Sequence, residues 1–131
     1  MKILIVGNDE KIAVLTGKIL IHNGYDTVSC PPGKEAMEKI MREKVCLVIA
    51  ELDSDAAERA DFAAEVKSMN DPPKLLFIGQ SPDEESRMLS AGADDWIRKP
   101  YKTDVFLARV AALIRRYETG RKVMAEGGKE V

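Results

Sequence analysis

The chain has 131 residues, of which 45% are hydrophobic and 32% charged, and its formal net charge is −2. That length fits one domain able to bury a core, and the composition is that of an ordinary soluble globular protein. A nucleic-acid binder would carry a basic surplus and a bilayer span would need a much longer apolar stretch, so neither nucleic acid nor membrane is expected as a partner.

The first apolar run, Lys2–Val6, begins directly at the N-terminus and reads as a strand, not as a signal peptide. Ile12, Leu15, Ile19 and Leu20 follow at helical spacing and are expected to face a core. Asn23-Gly24 supplies a left-handed stop. A second strand covers Asp26–Cys30, and a second helix, about Lys34–Glu43, is expected to bury Ala36, Met37, Ile40 and Met41. Val45–Ala50 is an unbroken apolar run that reads as a fully buried strand and ends at Glu51. A third helix starts at Asp55 with Glu58 completing a capping box, turns Phe62 and Val66 inward, and ends at Asp71-Pro72-Pro73. Leu75–Gly79 is the fourth strand. Ser81-Pro82-Asp83-Glu84 then carries the signs of a helix start: a capping serine, a first-turn proline and a glutamate at the third position. Gly92 closes that helix, and Asp95–Arg98 is the fifth strand. The last helix runs from about Thr103, with Phe106, Val110, Leu113, Ile114 and Tyr117 on one stripe. The domain is expected to span 1–118. The segment 119–131 is polar, with three glycines from Gly120 onward, and is expected to be a mobile tail. No internal repeat and no linker to a second domain is evident.

Strands alternating with helices imply parallel pairing through crossover connections. Five such units suit an α/β, flavodoxin-like (βα)5 doubly wound sheet of five parallel strands, order 2-1-3-4-5. Its functional crevice lies at the carboxyl ends of the strands, where strand order reverses. That places Gly7, Asn8 and Asp9, Glu51, and Ile78 with Gly79 around one site, within reach of Lys99.

Cys30 and Cys46 are the only cysteines and lack CxxC spacing, so two buried thiols in a reducing cytoplasm are expected. His22, the only histidine, has no partner at metal-ligand spacing, and histidine-based acid–base chemistry has no support. The turn after the first strand, Val6-Gly7-Asn8-Asp9-Glu10, gives no GxGxxG, and no Walker loop is present; Pro32-Gly33-Lys34 lacks the rest of a phosphate-binding motif. A small-ligand or flavin pocket in the crevice stays open as an alternative.

The opening Lys2-Ile3-Leu4-Ile5-Val6, the late Ala91-Gly92-Ala93-Asp94-Asp95-Trp96-Ile97 and the following Lys99-Pro100 together resemble the receiver domain of two-component response regulators, over roughly residues 2–117. The resemblance implies a non-enzymatic signalling module. In such receivers two acids after the first strand and an acceptor aspartate hold Mg²⁺, a Thr or Ser ends the fourth strand, and a lysine contacts the phosphoryl oxygens. This sequence departs at four of those five positions, with Gly7-Asn8 for the acid pair, Glu51 for the acceptor and Ile78 for the hydroxyl residue; Lys99 alone is kept. Mg²⁺ takes octahedral oxygen ligation anchored by carboxylates, so its binding is expected to be weak or absent, with no metal site and no cofactor. Without metal and donors, phosphoryl transfer loses the electrostatic stabilisation on which it depends.

The expectation is therefore a pseudo-receiver that signals by phosphorylation-independent protein contact, with output through a partner or a larger parent chain. Four readings of the acids stand beside one another: a Glu51–Lys99 ion pair without a signalling role, Glu51 as a partial mimic of the phosphorylated state, residual phosphorylation of Glu51, and Asp53 as a displaced acceptor. Asp53, Ser54 and Asp55 more simply cap the third helix. Trp96 stands where receivers carry a switch aromatic that moves inward on activation; it is expected to pack with Ile78, or to anchor a protein interface. Receivers of the winged-helix transcription-factor type dimerise through the fourth helix, fifth strand and fifth helix. Asp94 with Arg116 and Asp95 with Arg109 match two of their salt bridges, while Glu85 and Val105 remove the third. A homodimer through that face is one expected assembly.

Overall fold

The computed structural model describes residues 1–129. Its strands are β1 (Lys2–Gly7), β2 (Thr27–Cys30), β3 (Val45–Glu51), β4 (Lys74–Gly79) and β5 (Asp95–Arg98), and its helices are α1 (Glu10–His22), α2 (Lys34–Arg42), α3 (Ala56–Lys67), α4 (Glu85–Ser90) and α5 (Thr103–Lys129). The five strands form one sheet in the order β2-β1-β3-β4-β5, and every neighbouring pair is parallel. The flavodoxin-like architecture is thus the observed one.

Alternation along each strand divides the core into two layers. Leu4, Val6, Val48, Ala50, Leu75, Phe77 and Trp96 face α2, α3 and α4. Ile3, Ile5, Leu47, Ile49, Leu76, Ile78 and Ile97 face α1 and α5. β3 sits mid-sheet with both faces covered, which is why its residues are apolar without a break. On the α5 side Phe106, Val110 and Leu113 fill the layer.

Local signals set most boundaries. The Asp9 carboxylate accepts from the backbone N–H groups of Lys11 and Ile12 and starts α1. Gly24, at φ +90°, adopts the left-handed conformation that ends it. Asp55 caps α3 by accepting from the Glu58 N–H at 2.8 Å.

Four expectations are corrected. Leu15 and Met41 are exposed: α1 turns Leu20 inward together with Ala13, Thr16 and Gly17, small residues that let it lie close to the sheet, and Leu15 falls off that stripe. The turn Pro82–Glu84 is a 3-10 turn without a side-chain cap from Ser81: the Glu84 N–H donates to the Ser81 carbonyl at 3.1 Å, and the Glu84 carboxylate, which a capping box would turn back to Ser81, pairs with Arg59. Trp96 and Ile78 lie on opposite faces of the sheet. Finally, α5 does not stop near Tyr117 but continues to Lys129, carried by the strong helix formers Arg121, Lys122, Met124, Ala125 and Glu126. Residues 130 and 131 of the expected tail lie outside the described residues.

Two outcomes follow from the core. Phe106 is fully buried between α5 and the sheet, so Phe106→Ala should lower unfolding free energy by about 3–5 kcal/mol in urea titrations. Cys30 and Cys46 are buried in different layers, and burial pushes the Cys30 thiol up to about 11. Both should resist Ellman's reagent at pH near 8 in the native protein and react at once when it is unfolded.

Candidate functional site

The crevice forms where β1 and β3 diverge into connections on opposite sides of the sheet. Gly7 and Glu51 are register partners at the ends of β1 and β3. Lys99 follows β5 directly, and its backbone N–H donates to the Gly79 carbonyl at 2.8 Å, which fixes the lysine beside the end of β4. Its ammonium then donates to Glu51 Oε2 at 2.7 Å. The bridge runs from the end of β3 to the end of β5, across the end of β4. Both side chains are largely screened from solvent, at 23% exposure for Glu51 and 30% for Lys99. Glu51 Oε1 is buried and has no hydrogen-bond partner among the described residues. Below the pair, Tyr101 stacks on Phe106 at a centroid distance of 5.2 Å, and burial, with the Glu51 charge second, pushes its hydroxyl above the ordinary range.

The polar residues after β1 are engaged in holding loops. Asn8 Oδ1 accepts from the Asp53 N–H at 3.0 Å, tying the β3–α3 connection to the β1–α1 connection. Asp9 is spent on the start of α1. Asp53, Ser54 and Asp55 lead into α3, with Asp55 as the cap. Among the described residues no group of three or more His, Cys, Asp or Glu is placed to hold a metal ion. Asn8 has committed its oxygen and Glu51 has committed one of its two, so these residues do not fit an octahedral Mg²⁺ site.

Sequence reasoning brought together Gly7, Asn8, Asp9, Glu51, Ile78 and Lys99, and all of them border the crevice. It missed the opposite wall. Arg59 reaches from α3 to the Ser54 carbonyl and to the Glu84 carboxylate, bridging the β3–α3 and β4–α4 connections. With Gln80 and Ser81, this bridge encloses a cleft of about 490 Å³. The only trace of Arg59 in the sequence is a long cation on a helix one turn past the cap, a position that ordinarily reads as solvated surface.

Trp96 is 5% exposed and does not project from the surface as an interface anchor would. Its ring lies over Gly79. A Cβ added at Gly79 would stand 2.8 Å from Trp96 Nε1 and 3.0 Å from Cζ2, so the missing side chain is what admits the indole. Asp94 accepts from Lys67 Nζ and from the Leu75 N–H, each at 2.8 Å, and lies 3.7 Å from Lys74 Nζ. Asp95 pairs with Arg109 at 3.0 Å within the same chain. The Asp94–Arg116 pairing expected of a dimer therefore competes with three donors of the chain's own.

The family model described as "Response regulator receiver domain" matches residues 3–111. The chain belongs to the response regulator receiver family. It is 32% identical over 117 residues to regulatory protein VanRB of Enterococcus faecalis, covering 88% of this chain and 53% of that protein. It is 29% identical over 119 residues to the alkaline phosphatase synthesis transcriptional regulatory protein PhoP of Bacillus subtilis, covering 89% and 50%. The chain thus spans about half the length of these curated relatives. Among solved structures, the receiver domain of a signal transduction histidine kinase from Syntrophus aciditrophicus has a TM-score of 0.75 at 26% identity, with 87% of this chain and 89% of that one covered. NtrX from Brucella abortus superposes with a TM-score of 0.84 at 21% identity, over 95% of this chain and 28% of that one. No described helix of the receiver is long and apolar enough to cross a membrane.

Gly79→Ala should expel the indole from its seat. Tryptophan emission should move to longer wavelength and become accessible to iodide, and overpacking should cost about 1–3 kcal/mol of stability. Emission unchanged from the parent protein would mean that the ring is held by something other than the space at Gly79.

Proposed function

We propose that this receiver is a pseudo-receiver of two-component signalling: it acts by protein contact and does not accept a phosphoryl group. The observation that carries the reading is the 2.7 Å bond between Glu51 and Lys99. Glu51 stands at the acceptor position of the family, and one methylene more than aspartate lets its carboxylate reach the lysine that would otherwise meet the phosphoryl oxygens. The charge at the pocket is already paired inside the protein. The mimicry is partial, since a carboxylate carries one negative charge and a phosphoryl group nearly two.

The surrounding chemistry supports the same reading. Gly7 and Asn8 supply no carboxylate to anchor Mg²⁺, and Ile78 has no hydroxyl to donate to a transferred group. Asp53 points its backbone N–H at Asn8 and belongs to the lead-in of α3, which disfavours it as a displaced acceptor. With Trp96 already inward over Gly79, the α4–β5–α5 face is held in one arrangement, without an enzymatic step and without a cofactor. Its partners are other proteins of a signalling pathway.

Backbone-amide NMR tests this. Millimolar Mg²⁺ followed by beryllofluoride, an analogue of the bound phosphoryl group, should leave Asn8, Glu51, Ile78 and Lys99 unshifted, and incubation with acetyl phosphate should leave the protein's mass unchanged. Saturable shifts at those four residues that spread to Trp96 would show a pocket that still binds and switches.

A further inference from the structure

The turn that ends α1 joins Asn23 to Gly24, and this pair carries a chemistry of its own. An asparagine deamidates when the backbone nitrogen of the next residue attacks its side-chain carbonyl carbon. The new N–Cγ bond closes a five-membered succinimide ring. The side-chain nitrogen leaves as ammonia, taking the proton that the backbone nitrogen gives up. Water then opens the ring at one carbonyl to give aspartate, or at the other to give isoaspartate. No oxidant or reductant takes part. Glycine as the next residue has no side chain to obstruct the attack. Of the three asparagines, Asn8 and Asn70 precede aspartates, and Asn23 alone precedes a glycine.

The fold engages every atom that the reaction would use. Gly24, at φ +90°, donates its N–H, the nucleophile, to the Ile21 carbonyl at 3.0 Å, and the Tyr25 N–H donates to the Leu20 carbonyl at 3.0 Å. This crossed pair of bonds is the one that a left-handed glycine permits after a helix. The Asn23 side-chain nitrogen, the leaving group, donates to the Ile19 carbonyl at 2.8 Å. Asn23 itself stands at φ −97° and ψ 16°, which turns the Gly24 nitrogen toward the backbone nitrogen of Asn23. Ring closure needs that nitrogen to rotate until it eclipses Asn23 Cβ, and the rotation breaks the Gly24 and Tyr25 bonds. Ile19 and Tyr25 pack against the core layer under α1, so the turn is pinned from beneath, while Asn23 is exposed to water.

We propose that Asn23 is a modification site gated by the end of α1: it deamidates onto Gly24 only while this turn is open, and the product cannot rebuild the cap. Aspartate has no N–H to give the Ile19 carbonyl, and it sets a negative charge at the negative end of the α1 dipole. Isoaspartate routes the main chain through Cγ and adds a methylene ahead of Gly24. The Gly24 and Tyr25 N–H groups then lose their register with Ile21 and Leu20. The modification is a one-way record of how often the end of α1 has unwound, and it does not depend on whether Glu51 accepts a phosphoryl group.

The test ages the full chain in mildly alkaline buffer, folded or unfolded in urea. Peptide mapping by mass spectrometry follows the three asparagines, and enzymatic methylation reports isoaspartate. In urea Asn23 should convert ahead of Asn8 and Asn70. In the folded chain its conversion should be at least about tenfold slower, because it waits on local opening. Tyr25→Ala, which removes the packing beneath the turn and keeps the Asn-Gly pair, should raise the folded rate about threefold or more. Urea below the unfolding midpoint should raise it in the parent chain as well. Asn23→Asp should lower the urea midpoint. Equal rates folded and unfolded, a folded rate that neither Tyr25→Ala nor low urea changes, earlier conversion of Asn8 or Asn70 in urea, or an unchanged midpoint in Asn23→Asp would overturn the proposal.

Discussion

The partly buried ion pair between Glu51 and Lys99 is the constraint around which this receiver is organised. It joins the carboxyl ends of β3 and β5 over the end of β4, the point where the fold's loops converge. A pair at this depth adds little net stability, because desolvation offsets most of the Coulomb attraction. Its effect is on geometry. Lys99 is held at both ends, by its own N–H on Gly79 and by its ammonium on Glu51. Losing either partner would leave an uncompensated charge in a site lined by Ile78 and near enough to Tyr101 for the Glu51 charge to act on its hydroxyl.

The polar residues around the crevice fasten one loop to the next: Asn8 to Asp53, Asp9 to α1, Asp55 to α3. Gly79 and Trp96 lock the ends of β4 and β5 together by packing. The indole occupies space that a single methyl group would deny it, so packing against Gly79 holds the aromatic where it lies.

Much of this was legible in the sequence, for definite reasons. Strand positions could be read because buried parallel strands are apolar without interruption, and the site because ligand crevices sit at known strand ends. The edges of α1 and α2 were harder: Leu15 and Met41 fit the helical period, but the inward stripes are narrow and include Ala13, Gly17 and Ala36, small residues that carry little hydropathy signal. The separation of Ile78 from Trp96 was available from period-two alternation, since Phe77 and Trp96 are register partners and share a layer. The Arg59–Glu84 bridge was not available, because nothing local tells an arginine that reaches 25 residues along the chain from one that dangles in water. The length of α5 was misjudged because glycines outweighed, in the reading, the helix formers between them.

That bridge has a consequence for α4. A helix of six residues makes too few internal hydrogen bonds to persist by itself; it is ordered by what surrounds it. Met88 anchors it from beneath, and Arg59 steadies the turn that leads into it. Leu89, 43% exposed, is thus carried by a helix too short to hold itself in place. Arg59 steadies that helix from the far wall of the crevice. Whatever loosens the Arg59–Glu84 bridge would loosen the surface beside it, so the crevice serves that surface as a splint.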